Sequence, residues 1–176
     1  GLGSAKIFSA LDSVSAYSSV KMEGELSKDL TTFTSVLGTY RYRKMPFGLS
    51  IAPSLYQSLV QRALQTIPDS WRYALSYLDD LVVFSPTVEE HLAHLLEVLR
   101  LQKRIGNKLN LAKCHLFEEK VNYLGYEISA NGIGMIPEYV EKIINWTLPE
   151  TGKDLASFLG FCGYYQRSLE EYGRLT

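Results

Sequence analysis

The chain has 176 residues, enough for one domain or for one domain and a small second one, and its 46% apolar and 21% charged residues are typical of a globular protein. No apolar run approaches the roughly 18 residues that span a bilayer, and no signal peptide opens the chain, so we expect no membrane partner. Its 18 basic and 19 acidic residues lack the excess positive charge typical of nucleic-acid-binding proteins, so such binding would need locally clustered charge. Cys114 and Cys162 have no CxxC spacing and are expected to be buried free thiols of a reducing compartment.

The first quarter of the chain predicts short strands. Residues 7–11 are an apolar strand that ends at Asp12, and residues 17–22 have the composition of a second strand-like piece. Residues 31–34 and 38–44 contain Thr, Phe and Tyr and predict the two strands of a hairpin.

A loop and a helix are predicted next. Residues 45–49 contain Pro46 and Gly48, which favour a loop, and Pro53 suits the first turn of a helix. Apolar residues then recur at helical spacing up to Pro68, at Leu55, Leu59, Val60 and Leu64.

Two adjacent aspartates, Asp79 and Asp80, interrupt a run of strand-forming residues. Residues 71–77 and 81–84 are rich in β-branched, aromatic and leucine side chains, whereas Asp favours turns, so the pair marks the tip of a predicted hairpin. Adjacent carboxylates raise each other's pKa unless a cation lies between them, and hard divalent cations prefer such oxygens. An ordinary solvated turn is the alternative interpretation.

The remaining chain predicts one long helix, two strands and two shorter helices. Thr87 and Glu90 form a capping signature before an apolar helix face, and Gly106 is suited to end that helix. Residues 114–117 and 121–128 predict strands around the turn 118–120, and residues 130–132 predict a further turn. Pro137 and Thr151 begin the last two predicted helices.

These elements predict an α+β fold with a largely antiparallel sheet packed on helices, followed by a small helical segment. We expect residues 1–135 to form the main domain and residues 136–176 the helical appendage. If the strand that ends at Asp12 lies beside the acidic hairpin, three carboxylates converge, and such a cluster can hold two Mg²⁺ ions about 4 Å apart for phosphoryl chemistry. A simple strand-end turn at Asp12 is equally compatible with the pattern.

Six segments resemble, in order and spacing, the motifs of reverse transcriptases. The resemblance is to the palm and thumb of the gypsy-type LTR retrotransposon enzymes and, more distantly, the retroviral ones, and it covers nearly the whole chain. The segments are Phe8-Ser9-Ala10-Leu11-Asp12, Met45-Pro46-Phe47-Gly48-Leu49 with Ala52, Pro53 and Gln57, Tyr77-Leu78-Asp79-Asp80, Leu109-Asn110-Leu111 with Lys113-Cys114, Tyr123-Leu124-Gly125-Tyr126, and Phe158-Leu159-Gly160 with Tyr164-Tyr165.

The resemblance implies an RNA-directed DNA polymerase that transfers nucleotidyl groups from dNTPs to a primer 3′ end. Asp12 and Asp79 are then the main ligands of two Mg²⁺ ions, for which Mn²⁺ can substitute, and Asp80 completes the catalytic cluster. Nucleotide-binding positions are implied at Ser13, Ser15, Ala16, Tyr17, Phe47 and Lys113, and template or primer contacts at Pro46, Gly48, Gln57, Tyr77, Leu124 and Gly125.

Among these positions, Tyr17 matches an aromatic gate whose ring collides with a ribose 2′-hydroxyl. Lys113 matches a basic residue that protonates pyrophosphate, and a solvated lysine at a strand start is the alternative.

The resemblance also implies a longer pol polyprotein. The family's fingers precede the position of Asp12, and a ribonuclease H follows the thumb, so we expect a fragment with absent fingers and only a residual fingers-proximal hairpin. The implied partners are an RNA or DNA template with its primer, dNTPs and the remaining pol regions, in the cytoplasm, in virus-like particles, or in the nucleus. Ser18-Ser19 and Leu30 depart from the family pattern, and neither change touches a carboxylate.

Alternative interpretations concern other residue groups. A truncated or domesticated remnant that binds nucleic acid or protein without polymerising is the second functional hypothesis. A zinc site from His91, His94 and His115 is conceivable, although their spacing matches no zinc motif. The basic patch Arg41, Arg43 and Lys44 could contact template phosphates, or could simply be an exposed strand.

Overall fold

A four-stranded antiparallel sheet forms the centre of the computed structural model, which describes residues 2–14, 16–169 and 171–175. The strands of this sheet are β1 (Ile7–Asp12), β4 (Ala74–Tyr77), β5 (Asp80–Ser85) and β6 (His115–Glu118). They lie in the order β4-β5-β1-β6. The predicted α+β class with a largely antiparallel sheet is therefore confirmed.

Both faces of this sheet are covered, which explains why β5 reads as an unbroken apolar run. Leu81 and Val83 pack with Leu11 against helices α2 (Ala52–Gln65) and α3 (Val88–Arg104). Val82 and Phe84 point to the opposite face, where they belong to a second buried cluster together with Phe8, Val121 and Ile128. Both helices were predicted, and the Thr87 hydroxyl caps α3 by accepting a hydrogen bond from the Glu90 N–H, 3.2 Å away.

The segment after β1 differs from its prediction. Residues 17–19 are not strand-like, because Ala16–Ser19 is a single 3₁₀ turn in which the Val20 N–H bonds the Tyr17 carbonyl. Residues 20–22 pair with residues 43–45 through an antiparallel bridge between Lys21 and Lys44. Helix α1 (Glu25–Asp29) follows, and the predicted hairpin is present as β2 (Phe33–Ser35) and β3 (Gly38–Tyr40). The predicted strand-like residues 71–73 also belong to another element, since Ser70–Arg72 is a 3₁₀ turn.

A second, three-stranded antiparallel sheet covers the far face. It consists of β7 (Lys120–Tyr123), β8 (Tyr126–Ser129) and β9 (Gly132–Met135). The prediction of one strand over residues 121–128 was wrong, because Leu124 and Gly125, both with positive φ, turn the chain back on itself. Strand β9 was not predicted, since Gly132 and Gly134 weaken its strand pattern.

Helices end the chain, as predicted. They are α4 (Pro137–Ile144), α5 (Gly152–Tyr164) and α6 (Tyr172–Leu175), and Thr151 with Asp154 forms a reciprocal capping box at the start of α5. Cys114 and Cys162 are free thiols, the first half-buried and the second buried. Within the described ranges, no helix is long and apolar enough to cross a membrane.

Candidate active site

Asp12 and Asp80 lie directly opposite each other at one edge of the central sheet. They are the last register pair of β1 and β5, which places their Cβ atoms about 4.5–5.5 Å apart. Burial raises the pKa of Asp80 above its usual 3.8, and the nearby charges of Asp79 and Asp12 raise it further. Directly opposed like charges are unfavourable, and a divalent cation between them would relieve the repulsion, because hard carboxylate oxygens are the donors that Mg²⁺ and Mn²⁺ prefer.

Asp79 occupies the two-residue turn between β4 and β5. Tyr77 pairs with Asp80, which leaves Leu78 and Asp79 as the turn residues. Leu78 has a φ of 53°, in the left-handed region that a bulky L residue rarely adopts. Glycine is the usual residue at the first position of such a hairpin turn, so Leu78 carries backbone strain of about 1–3 kcal/mol.

The side chain of Gln57 holds this turn from helix α2. Its Nε2 donates to the Ser76 carbonyl at 3.1 Å, and its Oε1 accepts from the Leu78 N–H at 2.5 Å. The amide therefore binds the hairpin backbone on both sides of Tyr77 and compensates for the strain at Leu78. This intramolecular contact is distinct from the template or primer contact that the resemblance implies for Gln57.

The segment after α3 forms hydrogen bonds with the end of β1 and contributes a lysine ammonium group near Asp12. The Asn110 N–H donates to the Asp12 carbonyl at 2.9 Å, and the Val14 N–H donates to the Lys108 carbonyl at 2.7 Å. Lys113 Nζ lies 4.0 Å from Asp12 Oδ2, with 68% of the lysine side chain exposed. Such an exposed ion pair is weak, and the ammonium group is accessible to a bound anion.

Tyr17 lies between two aromatic rings. Its ring centroid is 5.4 Å from that of Phe47 and 5.9 Å from that of Tyr56. Tyr56 is buried, and its hydroxyl donates to Ser13 Oγ at 3.4 Å. Phe47 is 72% exposed, so this side of the Tyr17 ring faces an open surface.

The other predicted contact residues differ in their burial. Tyr77 is exposed on β4 opposite Asp80, and Gly48 has a φ of 90° in the loop that also contains the half-buried Pro46. Ala16 is buried and packs in the core rather than facing the site. Ser15 lies outside the described residues.

The β7–β8 hairpin packs against the strand that begins at Asp80. Tyr123, at the end of β7, packs against the buried cluster that contains Val82 and Phe84 of β5. Burial raises the pKa of Tyr123 to about 12, and the charge of Asp80 contributes to that rise. Leu124 and Gly125 form the turn that follows Tyr123.

Two predicted metal sites, the cluster of three carboxylates and the alternative zinc site, differ from the arrangement in the structure. Within the described part of the chain, no three His, Cys, Asp or Glu side chains form a ready-made metal cage, so the site is an opposed pair with Asp79 beside it. The zinc alternative was wrong: His91 Nε2 lies 2.7 Å from Ser9 Oγ, and its Nδ1 lies 3.0 Å from Ser85 Oγ.

Asn107 was missed by the sequence interpretation. Its Nδ2 donates to Ser13 Oγ at 2.8 Å and to Gln102 Oε1 at 2.7 Å, so it supports the residue after Asp12. No sequence signal could have found it, because a polar residue just after Gly106 is typical of any loop.

Comparison with known proteins identifies the family of the chain. The pattern described as "Reverse transcriptase (RNA-dependent DNA polymerase)" matches residues 2–128. The chain therefore belongs to the reverse transcriptase family, whose members generally use divalent metal ions.

Relatives of the chain are polyproteins of transposons. It is 32% identical to the retrovirus-related Pol polyprotein from transposon 297 of Drosophila melanogaster, over 99% of this chain and 16% of that protein. It is 31% identical to the transposon Tf2-7 polyprotein of Schizosaccharomyces pombe, over 97% of this chain and 12% of that protein. The chain thus spans less than a fifth of the length of these relatives.

Solved structures of a retroviral enzyme share the fold. The foamy viral protease-reverse transcriptase in complex with an RNA/DNA hybrid superposes with a TM-score of 0.77 at 29% identity, over 93% of this chain and 22% of that one. A second structure of this protease-reverse transcriptase, in complex with double-stranded DNA, gives a TM-score of 0.79 at 30% identity, over 90% and 27%.

Proposed function

We propose that this chain is the catalytic palm of an RNA-directed DNA polymerase that adds dNTPs to a primer 3′ end by two-metal nucleotidyl transfer. The register pairing of Asp12 with Asp80, next to Asp79 in a strained and clamped turn, carries the proposal. It unites the two acidic segments, about 70 residues apart in the sequence, on one sheet edge.

Asp12 and Asp79 are the proposed principal ligands of two Mg²⁺ or Mn²⁺ ions, with Asp80 completing the set. When bound, such ions lower the pKa of an attacking hydroxyl and stabilise the leaving pyrophosphate. The carboxylates fix where the cations can sit, and the strained turn holds Asp79 and Asp80 in one orientation before any ligand arrives.

The neighbouring residues have proposed roles in nucleotide selection and release. The Tyr17 ring, held between Phe47 and Tyr56, blocks a ribose 2′-hydroxyl and so favours deoxynucleotides. The exposed Lys113 ammonium, near Asp12, is placed to neutralise and protonate pyrophosphate. Ser13, Ser15 and Ala16 are the proposed backbone contacts of the triphosphate.

Template and primer are proposed to bind on both sides of the carboxylate edge. Proposed contacts are Pro46, Gly48, Gln57, Tyr77, Leu124 and Gly125. The foamy viral structures were solved with an RNA/DNA hybrid and with double-stranded DNA, which supports a nucleic-acid duplex as ligand here. We further propose that residues 1–135 act as palm and residues 136–176 as thumb, within a pol polyprotein that works in the cytoplasm, in virus-like particles, or in the nucleus.

The metal site is tested on the chain itself by titrating Mn²⁺ and following the free ion by electron paramagnetic resonance. Asp12→Asn and Asp79→Asn should each lower the affinity at least ten-fold, because each removes a charged ligand. Asp69→Asn is the matched control, since Asp69 is an exposed aspartate outside the strands, as Asp79 is, and asparagine tolerates its φ of 56°. Equal binding by all four proteins would refute the metal site.

Polymerase activity is tested by primer extension on an RNA template. The isolated chain should extend poorly, whereas a chimera with this chain in place of the matching segment of the transposon 297 Pol polyprotein should extend the primer. Asp79→Asn should abolish extension by the chimera. Intact Mn²⁺ binding with an inactive, folded chimera would favour the second hypothesis, a remnant that binds without polymerising.

A further inference from the structure

Three tyrosine hydroxyls join the tip of the β7–β8 hairpin to the end of helix α5. The Tyr164 hydroxyl donates to the Leu124 carbonyl at 2.7 Å, and the Tyr165 hydroxyl donates to the Gly125 carbonyl at 3.2 Å. In the opposite direction, the Tyr126 hydroxyl donates to the Tyr164 carbonyl at 2.8 Å. We call these three side chains, Tyr126, Tyr164 and Tyr165, the tyrosine clasp.

The clasp binds both carbonyls of a two-residue turn. Leu124 and Gly125 have φ values of 50° and 79°, so both central residues of the turn are left-handed. These carbonyls point away from the β-ladder and need partners outside the hairpin. A Cβ atom at Gly125 would lie 3.0 Å from the Tyr165 hydroxyl oxygen, so the glycine also permits this close approach.

The clasp also attaches the final helices to the rest of the chain. Between residues 137 and 175, Cys162 and Tyr165 are the described residues with less than a tenth of their surface exposed. Tyr165 packs in an aromatic cluster, with ring centroids 5.3 Å from Tyr126, 5.7 Å from Tyr139 and 5.5 Å from Phe161. Because so little else in this segment is buried, the tyrosine clasp is a main point at which α5 is fixed.

The hairpin that the clasp holds is also packed against the central sheet. Val121 of β7 belongs to the same buried cluster as Val82 and Phe84 of β5, the strand that begins at Asp80, and Tyr123 packs against that cluster. The Leu124–Gly125 turn follows Tyr123 directly, so its position is fixed by the central sheet through β7 and by α5 through the clasp.

We infer that Tyr164 and Tyr165 are positioning residues that set the place of the Leu124–Gly125 turn, and with it the primer end, by locking this turn to helix α5. This inference rests on the proposed function, since it assigns the turn a primer contact. Movement of α5 then moves the turn with it, so the position of the primer 3′ end depends on the last helices as well as on the palm sheet.

Single-atom variants test the clasp in the 176-residue chain. Tyr164→Phe combined with Tyr165→Phe keeps both rings and removes both donors, and loss of two hydrogen bonds should speed amide exchange at residues 124–126 about ten-fold or more. Tyr139→Phe is the matched control, because its ring lies in the same cluster and makes no clasp hydrogen bond. Exchange that is the same in both variants would overturn the clasp.

The position of the primer 3′ end is measured by the fluorescence of 2-aminopurine placed at the 3′ end of a primer–template duplex. The same probe placed eight bases upstream serves as the comparison. The double variant should change the 3′-end fluorescence at saturation and leave the upstream signal unchanged. 4-Aminophenylalanine at position 165, which restores an N–H donor, should return the 3′-end signal towards that of the unmodified chain. A purely structural role would alter both probes equally or neither, and either result would overturn the inference.

Different results would refute the proposed function and the primer-positioning role of the clasp. If the unmodified chain binds no duplex while Asp12→Asn and Asp79→Asn leave Mn²⁺ binding unchanged, the proposed function fails, and the primer-positioning inference fails with it. If the chain binds duplex and Mn²⁺ as expected but the double variant seats the primer normally, the positioning inference alone is wrong.

Discussion

Replacing Gln57 with leucine removes the clamp on the acidic turn and leaves the helix intact. Leucine has about the same size and a good helix propensity, so α2 should persist. The Ser76 carbonyl and the Leu78 N–H both lose their side-chain partner. Two net hydrogen bonds are worth about 2 kcal/mol, and more where the freed groups stay dry.

Because Leu78 is strained, loss of the two Gln57 hydrogen bonds should act on the conformation of the acidic turn. Its φ of 53° is unfavourable by about 1–3 kcal/mol, so without the clamp the turn can relax to another conformation. Asp79 and Asp80 then lose their fixed orientation. If the binding-competent conformation of the turn is destabilised by about 2 kcal/mol, its population falls, and the Mn²⁺ affinity falls about 30-fold with it.

The assay is the Mn²⁺ titration by electron paramagnetic resonance, with urea unfolding of the same samples. Gln61→Leu is the matched control, since Gln61 lies one turn further along α2 and is exposed. Gln57→Glu should fall between the two, because a carboxylate can accept from the Leu78 N–H but cannot donate to the Ser76 carbonyl. If Gln57→Leu binds Mn²⁺ as tightly as Gln61→Leu, the clamp does not organise the site.

Two further predictions concern pH. Burial lowers the pKa of His91 below its usual 6.5, so the unfolded chain binds more protons at this residue than the folded chain does. The contribution of neutral His91 to stability is therefore fully present above pH 6.5. It declines as the pH falls below 6.5 towards the lower pKa of the folded state. Urea unfolding at pH 7.5 and 5.5 should show this decline, and His91→Gln should reduce it, whereas the exposed His115→Gln should not. The raised pKa of Asp80 predicts that Mn²⁺ affinity falls with acidification at a higher pH than an ordinary aspartate would give. An unchanged pH profile in Asp80→Asn would contradict this assignment.

The sequence predicted the elements whose local pattern and packing agree. The long helix α3 was predicted because Thr87 caps it and leucines repeat at helical spacing, and the structure contains both the helix and its cap. The buried face differs from the predicted leucine face, because Leu92 and Leu96 are exposed whereas Leu95 and Val98 are buried. The acidic hairpin was predicted because apolar strands flank residues that favour turns. The strand prediction was wrong for residues 17–19, because their strand-like composition competes with local hydrogen bonds at Ser19, whose hydroxyl bonds the Ala16 carbonyl at 2.6 Å.

The sequence by itself determined which family this chain belongs to and which carboxylates to examine, because ordered motifs and turn chemistry are local properties. Only the tertiary structure decided that Asp12 faces Asp80, that Gln57 holds a strained turn, and that tyrosines of α5 bind the Leu124–Gly125 turn. Each of these contacts joins residues at least about 20 positions apart, and side-chain hydrogen bonds over such distances leave no periodic signal in the chain. The register of β1 against β5, set by burial of both faces of the sheet, is what turns separate acidic residues into a site.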